Sequence, residues 1–549
     1  MKIVEIRDLD GPNLFMPRPA IKLEIDSEEA EPRVAEGVVQ TFVLGALPDS
    51  PESAAALVPV SFQRVMTLLT EIVHVIHDRV GSPRPDVVSR EMEAPRHLAV
   101  AFGWTHRTLG KEIAQLAFSI LVGDVSTLDA DLERLRRYAA AEPADGDRPE
   151  MLADRDRRVP VIGITGTNGK TTTTRLVSAI LMQTGKKVGW TSSAGVFIQD
   201  EMVIEGDYTG PAGAARVFAE PGIDIAVLET ARGGILMRGL GYESNDVSVV
   251  TNVSPDHLGL HGVFTIDGLA EVKSLVARVT LSNGFVVLNA HDSRVLAMRE
   301  VARARPFLIS RDAANDEITR HVAEDGWALA VAGGEIVWWH DGVREVLSAV
   351  SDVPIAFGGR AAHMLENALC GAAACLAIGL PIDQVRTGLS AFRNESSQNR
   401  GRLNVYEVDG ATIIVDFAHN ELGLKHLLGF ARTFVEPQGR LIAVVGTAGD
   451  RADEVFVSLG KIAAESADLV IAKDTTKYLR GREPGEAVEL IERGITGAGM
   501  SAYETAISET SGFERAREIA EGGDVVALMC IEEYDTIIPR LEESGRSLS

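Results

Sequence analysis

The sequence is poor in cysteine: Cys370, Cys375 and Cys530 are the only three in 549 residues. Three thiols cannot build a disulfide framework. Cys370 and Cys375 fall in an alanine-rich apolar run and read as small core residues. A reducing, cytoplasmic setting is expected. No apolar run reaches the ~18 residues that a membrane span requires. The N-terminus, MKIVEIRDLDGPN, carries charges where a secretory signal would be apolar. No membrane partner is therefore expected. Positive charge is in deficit, with 54 Lys and Arg against 79 Asp and Glu and a formal net charge of -25. Such a surface repels polyphosphate backbones, which argues against a nucleic-acid partner and still leaves room for a small phosphate pocket.

What remains has an ordinary globular balance, 45% hydrophobic and 24% charged. At roughly 150 residues per domain the length suggests three or four domains. The first ~125 residues read as a small mixed unit. Ile21–Ile25 alternates as a strand does, and Val65, Leu68, Leu69, Ile72, Val73 and Ile76 recur at helical spacing. A second helix is expected near Gly110–Leu121. The segment after Leu128 begins as a helix, and AEPADGDRPE then breaks it and reads as a linker. From Val159 near-continuous apolar runs alternate with helical stretches: VPVIGITG, KKVGWTSS, DIAVLET, VSVVTNV, FVVLN. Strands of that kind are covered on both faces, so the sheet should be mainly parallel. Glu317–Val350 looks antiparallel, with a hairpin signal at Gly333-Gly334. After Arg402 a second alternating set follows: ATIIVDFAHN, RLIAVVGTAGDR, ADLVIAKD, GDVVALMCI.

The strongest chemical signal is Gly163–Thr172, GITGTNGKTT, between a strand and a helix. Glycines there let backbone N–H groups face an anion at a helix N-terminus. In such a loop Lys170 reaches the β/γ-phosphates and the Thr171 hydroxyl holds Mg²⁺. The pattern is a variant, since Ile164 stands where the strict motif has glycine. Glu229, in ETARGG, ends another strand and is a hard-oxygen ligand suited to Mg²⁺. Arg232 beside it suits an approach to phosphate. His257, in TNVSPDHLGL, ends a third strand and can coordinate a metal. Lys273 lies in the helical stretch IDGLAEVKSLVARV. Each of these alone is an ordinary loop or helix-face residue. Three strand-end signals in one unit point together to the crevice where open α/β sheets bind ligands. Asp416-Phe417-Ala418-His419-Asn420 and Gly446–Arg451 end two later strands in the same way.

Taken in order, GITGTNGKTTTT, ETARGG, TNVSPDHLGL, VLNAHD, HMLENALCGAAA, RGRLNV, VDFAHN and GTAGDR resemble the Mur ligase superfamily from Val159 to the C-terminus. Within it, ETARGGILMRGLGYESNDVSVV and Arg480-Gly481-Arg482 resemble the Mur-like half of the cyanophycin synthetases. MKIVEIRDLDGPNLF resembles their N-terminal domain. Those enzymes carry an ATP-grasp ligase between the two parts, and the short linker here has no room for one. The implied fold class is α/β in three domains. Residues 1–125 would form an N-terminal α+β domain and 126–158 a helix and linker. Residues 159–401 would form a central P-loop ATPase domain with a mainly parallel sheet. Residues 402–549 would form a C-terminal Rossmann-like domain.

The resemblance implies an ATP-dependent, ADP-forming ligase that joins an amino acid to an acceptor carboxylate through an acyl phosphate. ATP and Mg²⁺ would be required. Gly166, Thr167, Asn168, Gly169, Lys170, Thr171 and Thr172 would form the phosphate loop. Thr171 and Glu229 would hold one Mg²⁺, and His257 would help hold a second. Lys273 stands where several Mur ligases carry a carbamylated lysine. Asn367 matches an adenine-contacting Asn, and Asn289 and Asp292 match a segment near the nucleotide. Arg402, Asp416 and His419 would reach ATP from the C-terminal side. Arg232, Asp450, Arg451, Asp474 and Arg480 are substrate-site candidates. His291, Phe417 and Glu421 replace the family's Asp, Tyr and Pro. Lys473–Arg480 is less acidic than a cationic incoming amino acid would want, which disfavours arginine. The expected partners are an amino acid, a peptide or amino-acid acceptor and a separate ATP-grasp ligase, with the chain forming a homo-oligomer. Two alternatives are a folylpolyglutamate-type ligase of the same superfamily and a catalytically silent nucleotide-binding scaffold.

Overall fold

The computed structural model describes residues 1–44 and 56–548. Residues 45–55 and 549, inside the expected N- and C-terminal domains, lie outside the described residues. The first unit is an antiparallel four-stranded sheet in the order Lys2–Leu9, Ala20–Asp26, His97–Gly103, Val87–Glu91. Helices Phe62–Val80, Arg107–Leu121 and Leu128–Ala140 share its core. The expected apolar stripe, Val65 to Ile76, is buried there. Ser61 caps that helix by accepting from Arg64 N, and Gly81 ends it at φ 75, a left-handed conformation that costs glycine little. Helix Leu128–Ala140 buries Leu132 and Leu135 in the same cluster. The following segment has no helix but is fixed: the Asp147 side chain accepts from Thr108 N at 2.8 Å, and Leu152 N donates to Gly241 O at 3.0 Å.

The central sheet has eleven strands, and its middle is parallel as the apolar runs require. Val161–Thr165 lies between Ile225–Glu229 and Asn245–Val250, with all three parallel. Chain order reverses around Val161–Thr165, so the loop that follows it opens at the crevice of the sheet. Trp327–Ala332, Glu335–His340 and Val343–Ala349 close one edge as the expected antiparallel hairpins. The start of that segment, Asp316–Ala323, is instead a helix, begun by the Asn315 side chain accepting from Glu317 N and Ile318 N. Helix Ala362–Ala377 packs with Lys170–Gln183 in the largest apolar cluster and buries Cys370 and Cys375.

The last sheet has seven strands around parallel Ala411–Asp416, Val525–Met529, Leu441–Val445 and Leu469–Lys473. Its strand ends face those of the central sheet. The Asn168 and Asn420 side chains exchange hydrogen bonds of 3.3 and 3.0 Å, and Arg451 Nη1 donates to Asp256 Oδ1 at 2.6 Å. No helix among the described residues is long and apolar enough to cross a membrane.

Candidate active site

The phosphate loop is shaped by its neighbours. Gly166 has φ 147, and a Cβ there would lie 1.9 Å from Thr251 Oγ1. Gly169 has φ 86, and a Cβ there would lie 2.1 Å from Asn367 Oδ1. Only glycine permits both approaches. The Thr251–Ser254 strand end cradles the loop. Thr167 N donates to Asn252 O at 2.8 Å, Asn168 N to Asn252 Oδ1 at 3.0 Å, and Thr251 Oγ1 to Asn168 O at 2.6 Å. Lys170 opens the helix and its Nζ donates to Thr167 O at 2.9 Å.

Beside the loop, Thr171 Oγ1 donates to Glu229 Oε1 at 3.2 Å and lies 3.4 Å from Ser193 Oγ. Arg402 reaches Thr171 Oγ1 at 3.5 Å from the C-terminal side and lies over the Phe417 ring. Glu229 is buried, and its Oε2 has no hydrogen-bond partner. Burial raises its pKa, against the pull of Lys170. A buried carboxylate with an unpartnered oxygen beside a hydroxyl fits a hard divalent cation. Among the described residues no three His, Cys, Asp or Glu side chains cluster for a metal. Mg²⁺ is ordinarily held by one or two carboxylates together with substrate phosphates and waters, so the pair suffices.

A cavity of about 650 Å³ runs from this loop to the C-terminal sheet. Lys170, Arg232, His257, Lys273, His419, Asp450, Arg451 and Arg480 all line it. His257 has φ 50, a left-handed conformation uncommon for a non-glycine residue. Arg232 Nη1 donates to His257 O at 2.9 Å and Leu260 O at 3.2 Å, which fixes that turn. Burial pushes the His257 pKa down to about 4, against Asp256, so the ring is neutral and free to ligate. Asp256 lies under it. Burial opposes its ionisation, but His419 and Arg451 outweigh that and hold its pKa well below the carboxylate range. His419 Nε2 lies 3.7 Å from Asp256 Oδ2. Lys273 Nζ donates to Gly166 O at 2.7 Å. Burial, then the Lys170 charge, drives its pKa well below the usual lysine value, which favours the neutral amine.

Other expected residues sit one layer back. The Asn289 Nδ2 group donates to Thr251 O at 3.2 Å, and Asp292 accepts from Val253 N at 2.6 Å while capping Ser293–Ala297. They hold the Thr251–Ser254 cradle from behind. The Asn367 amide oxygen lies against Gly169, as its clash with a Cβ there shows. Asp416 accepts from Leu403 N at 2.9 Å, at the junction that carries Arg402; burial raises its pKa, against Arg402. Thr172 is buried in the first turn of the loop's helix.

Asp474 does not line the cavity. Its Oδ1 accepts from Thr475 N and its Oδ2 from Gly485 N at 2.7 Å. Lys473 is fully buried against Glu509. Counting the charge of Lys473–Arg480 along the sequence therefore misjudges the cavity, to which only Tyr478 and Arg480 of that segment contribute. Arg480 pairs with Asp450. Ser193, Asp207, Thr209, His261 and Tyr478 also line the cavity and were not singled out in the sequence, although TSS and DYTG follow strands as the recognised motifs do.

Two family models match the chain, the Mur ligase middle domain over residues 164–375 and the Mur ligase, glutamate ligase domain over residues 401–530. Together they take in more than half of it, and the chain belongs to the Mur ligase family. Cyanophycin synthetase of Nostoc sp. is 40% identical over 68% of this chain and 41% of its own length. That of Trichormus variabilis is 40% identical over the same shares. The chain thus spans about two fifths of the length of these relatives. A UDP-N-acetylmuramoyl-L-alanyl-D-glutamate--2,6-diaminopimelate ligase of Parabacteroides distasonis is 27% identical over 68% of this chain and 73% of its own. Among solved structures, E. coli FolC in complex with DHPP and ADP has TM-score 0.52 at 20% identity, covering 70% of this chain and 89% of that one. That likeness supports the fold.

Proposed function

We propose that this protein is an ATP-dependent ligase that joins the amine of an amino acid to an acceptor carboxylate through an acyl phosphate, forming ADP. The observation that carries the reading is the Thr171–Glu229 pair, with its unpartnered carboxylate oxygen, beside Lys170 and the loop amides. The acceptor carboxylate attacks the γ-phosphorus of ATP, and ADP leaves. Lys170 and the loop N–H groups stabilise the charge on the transferring phosphoryl group. Mg²⁺ held by Thr171 and Glu229, with His257 at a second site, would offset phosphate charge there. The amine then attacks the acyl carbon, and phosphate departs as the amide forms. Closure of Arg402 and His419 over the cleft, with Asp416 fixing the Leu403 turn behind Arg402, keeps water from the acyl phosphate.

Burial drives the Lys273 pKa well below the usual lysine value, which enriches the amine form that reacts with CO₂ and supports a carbamate at its Nζ. Asn289, Asp292 and Asn367 serve as supports of the loop. Arg232, Asp450, Arg451 and Arg480 face the substrates, and Asp474 acts by fixing its own turn. An incoming amino acid other than arginine is favoured, because Asp207, Asp256 and Asp450 are matched in the cavity by Arg232, Arg451 and Arg480 and leave no surplus of acid for a guanidinium. The working domain limits are 1–125, 126–158, 159–401 and 402–549. The protein acts in the cytoplasm as a homo-oligomer, adding one kind of residue to an acceptor that a separate ATP-grasp ligase supplies. The test is phosphate release across twenty amino acids and a panel of peptide acceptors, with product masses. A single mass increment on one acceptor supports the reading. A long two-residue copolymer, or no release with any pair, contradicts it.

A further inference from the structure

The helix Ile266–Arg278 carries Lys273 on the face turned toward the phosphate loop, where Nζ meets Gly166 O. Its other side is gripped by the N-terminal sheet at two places. Arg90, on strand Val87–Glu91, meets Glu271 in a bidentate pair of 2.8 and 2.9 Å. Glu93, in the turn after that strand, reaches the start of the helix. It accepts from Phe264 N, from Thr265 N at 3.0 Å and from Thr265 Oγ1 at 2.6 Å. Thr265 is the N-cap itself and accepts from Gly268 N at 2.9 Å. The fit is close enough to dictate the residue at 268. A Cβ on Gly268 would stand 2.0 Å from Glu93 Oε1.

Residues 271 and 273 are about 200° apart around a helix, so the grip and the lysine lie on opposite faces. The helix is therefore held between the N-terminal hairpin and the phosphate loop. Neither Arg90 nor Glu93 lines the ATP-side cavity. We propose that the N-terminal domain is a clamp that sets the position of Lys273 against the phosphate loop, with Arg90 and Glu93 as its positioning residues. The clamp gives this domain a task inside the ligase, whatever acceptor it meets. The inference of an effect on turnover rests on the ligase reading; the placement of Lys273 does not.

The test uses the full chain and reads Lys273 directly. Acetic anhydride labelling at pH 7, followed by digestion and mass spectrometry, gives the acylation rate of Lys273, with Lys170 as the internal reference. Arg90→Glu and Glu93→Ala are expected to raise Lys273 labelling about fivefold or more, with Lys170 unchanged. Glu93→Gln keeps an amide oxygen for the Thr265 donors and should stay near wild type. The reversed pair Arg90→Glu with Glu271→Arg restores the contact and should return labelling to the wild-type rate. In ligation, the same variants should lower kcat with little change in KM for the amino acid, and the reversed pair should recover it. The clamp is refuted if Lys273 labelling is unchanged in Arg90→Glu and Glu93→Ala. It is also refuted if both lysines become reactive together or the reversed pair fails to rescue. If labelling responds as stated and no amino acid is ligated by the wild type, the ligase reading fails and the clamp stands.

Discussion

Replacing Lys473 should loosen the C-terminal domain and, through it, the cavity. Lys473 and Glu509 have 0% side-chain exposure and lie 2.7 Å apart. Glu509 also accepts from Ile531 N at 2.7 Å, Glu532 N at 3.0 Å and Glu533 N at 2.8 Å. Glu532 in turn accepts from Thr476 N and Lys477 N, both at 2.8 Å, so one buried pair anchors the segment that carries Tyr478 and Arg480. Removing one partner of a buried ion pair costs ~3–5 kcal/mol. Lys473→Met leaves Glu509 its three amide donors, which places the cost at the lower end, about 3 kcal/mol. Glu509→Gln strands the lysine charge and turns an NH₂ group toward those amides, which places it at about 5 kcal/mol. The double variant should cost less than the sum of the singles.

All five tryptophans, at 104, 190, 327, 338 and 339, precede Arg402, so fluorescence would miss the event. Hydrogen exchange by mass spectrometry on peptides covering Leu469–Lys473 and Val525–Glu533 reads it. About 3 kcal/mol corresponds to a roughly hundredfold faster exchange where the domain opens globally. Burial opposes ionisation of Glu509, but Lys473 and the amides outweigh it and hold its pKa below 4.5. Its stabilisation is complete above pH 4.5 and is lost as pH falls through the folded value, so Lys473→Met should also reduce acid sensitivity. Exchange within threefold of wild type in both single variants would refute the reasoning.

Lys170→Ala should lower ligation about a hundredfold, ~3 kcal/mol, with melting unchanged; near wild-type turnover in a folded variant would contradict its role. Gly166→Ala forces a Cβ to 1.9 Å from Thr251 Oγ1 at φ 147, and calorimetric titration should show ATP binding at least tenfold weaker. His77 is buried and its pKa is pushed down to about 4 from 6.5 by burial, then by His74. The unfolded chain binds a proton there below pH 6.5 and the folded chain does not, so stability is lost as pH falls from 6.5 toward 4, by about 3 kcal/mol. Melts of His77→Phe between pH 7 and 4 should show a shallower acid loss than wild type.

The parallel core was legible because buried strands leave continuous apolar runs, and the phosphate loop because its glycines, lysine and threonine are fixed in spacing. Thr171, Glu229, His257 and Lys273 could be gathered in sequence because each follows a strand of one sheet or lies on the helix between two such strands. Direction of a side chain was not legible. Asp474 is acidic and in the right segment, yet Gly485 N claims its oxygen. Asn289 and Asp292 end a strand like the others but spend their polar atoms on Thr251 O and Val253 N. Arg90 and Glu271 are separated by 181 positions, and no local period connects them. Expected helix starts depend on single caps, and Asn315 made a helix at Asp316–Ala323 within a stretch whose later residues alternate as strands.

The central claim is transfer through an acyl phosphate in the Lys170–Glu229 crevice. It is tested most directly with an acceptor whose carboxylate carries ¹⁸O, ligated with ATP, Mg²⁺ and the amino acid that supports turnover. Mass analysis of the released phosphate should show one ¹⁸O atom per phosphate, with ADP as the other product. Unlabelled phosphate alongside amide formation, or AMP in place of ADP, would contradict the account.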